Sequence, residues 1–412
     1  MKKYQITLVV ILWGVVFSAQ AQQKVLTLQQ CIEMAMRQNY ALQVSDKSIE
    51  RAKALQGTAW DLDKMDVSLS QDPTSGGSPD NAISISQSIE FPTYYIARHK
   101  QLKAEVQAEK SKQNVLKASL ASEITSVYYQ LVYEKQRIKL LAQQDSVLTH
   151  YRQLAVKRFQ AGETRRLEVL SAERMLKENQ MEKIAALSES ENVRQQLAKL
   201  LNIDSLSLEP ADTELRPIDF VQVSYNYQQT LEGMYANDRL TIAEKALAVA
   251  KNGYAPSLSL SLRNQLVLSD WNPYHQERTK FDGGNFMGFE VGVGIPLFYG
   301  ASKAKVKAAK KNREIVELEM KEEQQQREKE YLVALSKCNS TFARLNYYQQ
   351  EGDKKAEELA QLGLLEYQNG EITYIEYINA LQESLDMRMK HLEAINEYNQ
   401  SVIALKTITH TL

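Results

Sequence analysis

Apolar residues recur at helical spacing through the first half of the chain. From Leu116 they recur at Leu120, Ile124, Val127 and Leu131, at intervals of four, four, three and four residues. The same stripe continues at Ile138, Leu141 and Leu148. Polar Glu134 and Asp145 occupy skipped positions, and the other faces carry Lys, Gln, Glu and Ser. A narrow apolar seam of this kind predicts a long helix that packs along a thin line, as in a coiled coil.

Long segments without Gly or Pro extend this pattern. They run over Thr93–Ala161, Glu163–Glu209, Ala301–Glu351 and Glu371–Leu412. The first, if helical throughout, would be about 100 Å long. We therefore predict two helical hairpins, over residues 93–201 and 299–409.

Strict alternation of apolar and polar residues is confined to two zones. In the first, Ile83, Ile85, Ile89 and Phe91 alternate with Ser and Glu; in the second, leucines from Leu258 alternate with Ser, and Phe289, Val291, Val293 and Ile295 alternate with Gly and Glu. Period-two alternation predicts strands with one apolar and one polar face. Each zone predicts a strand pair joined by a loop, at about residues 63–91 and 257–296.

The two halves of the chain repeat one order of elements. The stretch RFQAGETRRLEVLSAE, from Arg158, aligns with EYQNGEITYIEYINAL, from Glu366, so that Gly162 pairs with Gly370. FPTYY and IPLFYG place Pro92 and Pro296 at matching strand-to-helix junctions, where the fixed φ of proline suits a helix start. The pattern predicts an internal duplication, with repeats over 22–208 and 218–412 and a linker over 209–217.

The N-terminal residues are typical of a secretory signal. Lys2 and Lys3 precede an apolar run from Ile6 to Phe17, and Ala19-Gln20-Ala21 supplies a cleavage pattern. We expect residues 1–21 to be a signal peptide, with an uncleaved anchor as the alternative.

Composition changes this picture little. The 412 residues carry a formal net charge of −1, so neither a nucleic-acid partner nor an acidic disordered chain is indicated. The five histidines are scattered, and Cys31 and Cys338 are distant in sequence and lie in helical patterns. We interpret the cysteines as small buried residues, and we predict no catalytic site, metal or cofactor.

The duplicated order resembles the TolC family of outer-membrane efflux channels. The two aligned glycine stretches carry the resemblance, together with FPTYY, IPLFYG and the opening LTLQQCIEMAMRQNYAL. It implies a mainly α protein with a membrane β part. Long-helix hairpins would form an α-barrel tunnel, and four strands per chain would contribute to a trimeric 12-stranded β-barrel.

The resemblance also implies a location and partners. The protein would be a homotrimer in the lipid of the outer membrane, extending into the periplasm and working with a periplasmic adaptor and an inner-membrane pump. It would conduct small toxic molecules or metal ions passively. The alternatives are the exit duct of a type I protein secretion system and a periplasmic coiled-coil scaffold without a pore.

The helix turns at Gly162 and Gly370 would then be the periplasmic tips. Family members hold this end shut with an aromatic, an arginine and an acidic residue; here Tyr367 and Glu168 take the first and last places, and Ile372 replaces the arginine. The alternative is that the acidic residues are helix N-terminal caps and solvated side chains. Candidates for the gate or adaptor contact are Phe159, Glu163, Arg165, Arg166, Glu168, Tyr367, Glu371 and Glu376, with the two neighbouring arginines as substitutes for the missing one.

Overall fold

The computed structural model describes residues 24–73, 79–204, 208–222, 224–267 and 284–411. The expected signal peptide lies outside these residues. Eight α-helices are present in the described ranges: α1 (Leu28–Gln38), α2 (Tyr40–Gln56), α3 (Pro92–Gln160), α4 (Arg166–Leu201), α5 (Leu231–Lys251), α6 (Gly300–Tyr347), α7 (Asp353–Asn369) and α8 (Tyr374–Thr409). The strands there are β1 (Lys24–Leu26), β2 (Asp66–Pro73), β3 (Pro79–Glu90), β4 (Leu208–Pro210), β5 (Ser257–Val267) and β6 (Gly284–Gly294).

The predicted order of strands, long helix, turn and helix is confirmed in both halves, and the fold is mainly α with a β part. The chain forms two compact units, however, and each unit contains segments from both predicted repeats. One unit contains Met1–Gln43, Leu116–Tyr225 and Glu328–Leu412, and the other contains Val44–Val115 and Asn226–Arg327. The two predicted repeats remain a prediction from the sequence.

The helical unit is built around the predicted seam. Ile124, Leu131 and Leu141 are completely buried, and Leu120 and Leu148 nearly so. The short strands β1 and β4 pair in parallel beside this core. Coiled-coil-like spacing therefore did identify the buried face of α3.

Both cysteines are buried free thiols in the helical unit, in agreement with the interpretation from sequence. Burial raises the pKa of the Cys31 thiol to about 11 and also raises the pKa of Cys338. A thiol that keeps its proton is a poor nucleophile, which fits a packing role.

The second unit contains an antiparallel sheet of order β2-β3-β5-β6. Its register places apolar residues of successive strands side by side on one face. One row runs through Val67, Ile85, Leu262 and Phe289, whose side chains are 38–79% exposed. The opposite face is polar, as in the neighbouring row of Asp66, Ser86, Ser261 and Glu290. The sheet therefore has an apolar face that the described part of the chain leaves exposed.

The glycines of β6 are explained by the same register. Gly292 lies opposite Ser259 and Gly294 opposite Ser257, and a Cβ at either glycine would collide with the serine Oγ. Glycine at these two positions leaves room for the serine hydroxyls of the neighbouring strand.

The entrances to the two long helices differ in detail. Pro92 is the first residue of α3, but Pro296 lies in the connection before α6, which begins at Gly300. Within the segment Ala301–Glu351, which has no Gly or Pro, α6 ends at Tyr347 and a π-helical turn follows at Tyr348–Gly352. Within this turn the Tyr348 ring packs closely against Gly352, with Cδ1 2.7 Å from where a Cβ would lie.

Candidate functional site

The two hairpin turns have the same backbone construction. Gly162 and Gly370 both have φ of +75°, in the left-handed region. At the first tip, between α3 and α4, Glu163 N–H donates to Arg158 O at 2.9 Å. At the second tip, between α7 and α8, Glu371 N–H donates to Glu366 O at 2.9 Å. These six-residue closures are Schellman motifs, which satisfy the last carbonyls of a helix and favour glycine.

The second helix of each hairpin begins differently. At the second tip, Thr373 and Glu376 form a capping box, in which Thr373 N–H donates to Glu376 Oε2 at 2.7 Å. The Thr373 backbone N–H and hydroxyl hold the pKa of the Glu376 carboxyl below its usual range. Glu376, which is exposed, therefore acts as a helix cap.

Glu168, the counterpart in the first hairpin, is buried. Its side chain is 6% exposed, and it accepts a hydrogen bond from the Thr164 hydroxyl. Arg158 Nη1 lies 3.5 Å from Glu168 Oε1, and Arg158 Nε lies 3.5 Å from Glu163 Oε2. One arginine thus contacts both acidic candidates of the first tip.

Four tyrosines from both hairpins join this arrangement. The ring centroids of Tyr367 lie 5.3 Å from those of Tyr374 and Tyr377, and Tyr151 lies 5.4 Å from Tyr374. The Arg158 guanidinium lies 5.7 Å from the centroid of the Tyr374 ring, a cation–π distance. Burial raises the pKa of the Tyr374 hydroxyl well above its usual range. The structure thereby brings an aromatic, an arginine and an acidic residue together within one chain.

Sequence reasoning missed Arg158 as the central cation. Arg165 and Arg166, the substitutes named from the sequence, are exposed, and in the described part of the chain neither forms an ion pair with Glu168. Arg158 lies four residues before Gly162 on the last turn of α3, so a count along that helix could have identified it.

The outer surface of the tips is partly apolar. Phe159 is 42% exposed and Leu167 is 73% exposed, while Glu163, Arg165 and Glu371 are exposed charges nearby. A cavity of about 460 Å³ at the first tip is lined by Tyr151, Glu168 and Leu167 among others. Exposed apolar and charged groups on a rigid turn can bind the end of another helix.

We expect Arg158→Gln to weaken the first tip by about 1–2 kcal/mol, because it leaves the Glu168 carboxylate buried without its cation. Hydrogen exchange of the Glu168 amide, which donates to Arg165 O at 3.0 Å, measures the local opening free energy. A double-mutant cycle with Glu168→Gln should give a coupling of about 1 kcal/mol. Exposed Arg165→Gln is the control and should have little effect; an equal effect there would contradict the assignment of Arg158.

A metal centre finds no support in the part of the chain that the structure describes. Among these residues, no three His, Cys, Asp or Glu side chains are grouped so that they could hold a metal ion. None of the described helices is long and apolar enough to cross a membrane.

Comparisons with known proteins give one family match. Residues 234–410 match the family model described as Outer membrane efflux protein. Comparison with curated proteins finds no significant match.

Solved structures match nearly the whole chain at low sequence identity. The MtrE outer membrane channel of Neisseria gonorrhoeae is 16% identical with a TM-score of 0.72, covering 96% of this chain and 93% of its own. The CmeC outer membrane channel of Campylobacter jejuni is also 16% identical with a TM-score of 0.72, covering 93% and 85%. The outer membrane protein VceC of Vibrio cholerae is 15% identical with a TM-score of 0.72, covering 93% and 95%.

Proposed function

We propose that the chain forms the exit duct of a tripartite efflux system, starting from the match of residues 234–410 to the Outer membrane efflux protein model and from the fold that the chain shares with solved outer membrane channels. The duct is passive: a periplasmic adaptor and an inner-membrane pump deliver small toxic molecules or metal ions, and the duct conducts them outside. It lies in the outer membrane and extends into the periplasm.

One observation supports this proposal above the others, namely the uncovered apolar face of the four-stranded sheet. Strands β2 and β6 are its edges, and neither pairs with a further strand in the described part of the chain. Open edges are not tolerated in lipid, so four strands need other copies to close a barrel. Three copies supply the twelve strands implied by the resemblance. A periplasmic scaffold without a pore has no use for such a face.

The helix tips support two further parts of the proposal, a closed periplasmic end and contact with the adaptor. Arg158, Glu163 and Glu168, with Tyr367 and Tyr374, would hold the periplasmic end of the duct in its closed arrangement. The exposed residues Phe159, Arg165, Arg166 and Glu371 would contact the adaptor. A type I protein secretion duct would use the same parts, and the kind of pump that co-purifies with the chain distinguishes the two.

We expect Leu262→Gln to reduce insertion of the protein into the outer membrane, because it places an amide on the apolar face at a site next to Ile85 and Phe289. The expected loss is about 2 kcal/mol per chain. The measurement is the yield of heat-modifiable, detergent-extracted trimer in the outer membrane fraction. Ser261→Gln, on the polar face of the same strand, is the matched control and should insert normally.

A soluble monomeric mature chain in periplasmic extract would refute the duct proposal. Equal trimer yields from the two glutamine variants would refute the assignment of the apolar face to lipid.

A further inference from the structure

A cavity of about 640 Å³ in the sheet-containing unit is lined by lysines from three helices. Lys53 comes from α2, Lys100, Lys103 and Lys110 come from α3, and Lys245 comes from α5. Val106, which is buried, and Ala104 form part of its apolar wall. No carboxylate of the described residues lines the cavity.

The lysines of α3 reach the cavity because of their spacing. Lys100, Lys103, Gln107 and Lys110 follow at intervals of three, four and three residues, which places them on one face of a helix. The flanking helices α2 and α5 then add one lysine each. The five lysines therefore line one concave surface.

Three acidic residues of the same unit have other partners. Glu50 lies 2.7 Å from the Lys47 ammonium, Asp46 accepts from Gln113 at 2.6 Å, and Asp238 accepts from the Ser111 hydroxyl at 2.6 Å. None of the five cavity lysines forms an ion pair with a residue in the described ranges. The cavity is therefore lined by five ammonium groups that have no ion-pair partner in the described ranges.

We propose that this lysine cavity binds a ligand with clustered phosphate groups. Each ammonium offers three donors on a flexible stem, which suits the tetrahedral oxygens of phosphate more than a single planar carboxylate. Several phosphates are needed because one singly charged group would leave most of the five charges without a counterpart. The volume is within the usual range for small-molecule sites, and the aliphatic stems and Val106 accept an apolar portion.

The test is a calorimetric titration of the detergent-purified full mature chain with tripolyphosphate. Lys53→Gln, Lys103→Gln and Lys245→Gln are combined, because they remove one charge from each helix and glutamine has a helix propensity close to that of lysine. We expect saturable binding that weakens about tenfold or more in this variant and also weakens as salt is raised.

A matched control removes three exposed lysines of the same unit outside the cavity, as Lys303→Gln, Lys307→Gln and Lys310→Gln on α6. Its affinity for tripolyphosphate should change by less than about twofold. The absence of saturable binding to the unsubstituted protein, or an equal loss in the control, would overturn the proposal. The titration measures binding and not transport. Absence of binding would therefore leave the duct proposal intact, and refutation of the duct proposal would leave the proposed phosphate site intact.

A second arm identifies the source of the phosphates. Micelles containing phosphatidic acid, which has a phosphomonoester headgroup, are added as competitors of tripolyphosphate, with phosphatidylcholine micelles as the control. Competition by phosphatidic acid micelles but not by phosphatidylcholine micelles supports a site for a phosphorylated lipid headgroup. Absence of competition, with tripolyphosphate binding retained, supports a site for soluble phosphates.

Discussion

Gly233→Ala is expected to destabilise the sheet-containing unit by about 3 kcal/mol or more, which is enough to lower the yield of folded protein. Gly233 is buried in the first turn of α5, and a Cβ there would collide with the carbonyl oxygen of Tyr227 and lie 2.9 Å from its carbon. That carbonyl accepts from the Thr230 backbone at 3.0 Å and from the Thr230 hydroxyl at 2.7 Å. The methyl group can fit only if this turn moves, and the Thr230 cap on Gly233 N–H is then lost.

The measurement is the thermal unfolding of the detergent-extracted protein, followed by circular dichroism at the helix band. Gly57→Ala is the matched control, since no described atom lies within 4 Å of the place that a Cβ would take at Gly57, and its φ is not positive. This variant should unfold at an unchanged or slightly higher temperature. Equal unfolding temperatures for Gly233→Ala and Gly57→Ala would contradict the close approach of the Tyr227 carbonyl to Gly233.

Replacing both Gly162 and Gly370 by Val should remove export while leaving the long helices folded. Both glycines have φ of +75°, and a β-branched residue is strained there by about 2 kcal/mol at each tip. No described atom lies within 4 Å of a Cβ at either position, so we attribute the effect to the backbone conformation. Efflux by cells that carry the variant measures the functional loss, and hydrogen exchange at the tip amides measures the local opening.

The matched control is Gly→Asn at the same two positions. Asparagine tolerates the left-handed region, and this chain already places Asn202 there with φ of +53° at the end of α4. The asparagine variant should retain most of its export. Equal loss with Val and Asn would indicate that the positions matter for something other than φ.

Much of the fold could be predicted because it depends on local periodicity. The seam through Ile124 and Leu131 specified the buried face of α3, and the alternation around Ile85 and Leu262 specified the two faces of the sheet. The predicted resemblance agrees with the match of residues 234–410 to the Outer membrane efflux protein model, and the fold is that of solved outer membrane channels. The helical seam and the strand alternation can both be read from a single sequence, because each arises from residues a few positions apart.

The details of the tip could not be predicted in the same way. Glu168 and Glu376 occupy equivalent positions in the aligned stretches, yet the former is buried beside Arg158 and the latter caps a helix. The difference arises from Thr373, which offers a capping hydroxyl where the first hairpin has Arg165, and from the packing of Tyr374 against Arg158. The capping box is a local T-x-x-E pattern that the sequence does contain, whereas the contact of Arg158 with Tyr374 joins residues far apart in sequence, and no local pattern predicts it.

The π-helical turn at Tyr348–Gly352 has a consequence for symmetry. A π turn holds about one residue more than an α turn. The side chains of α7 are therefore rotated about the helix axis by about 100° compared with their positions on an unbroken α-helix. The first hairpin enters its tip through the unbroken α3, whereas the second enters through α6, this turn and α7. In the proposed trimer, six hairpins would therefore alternate between two windings around the ring. The periplasmic mouth would then have threefold rather than sixfold symmetry, and an adaptor would meet two distinct kinds of groove.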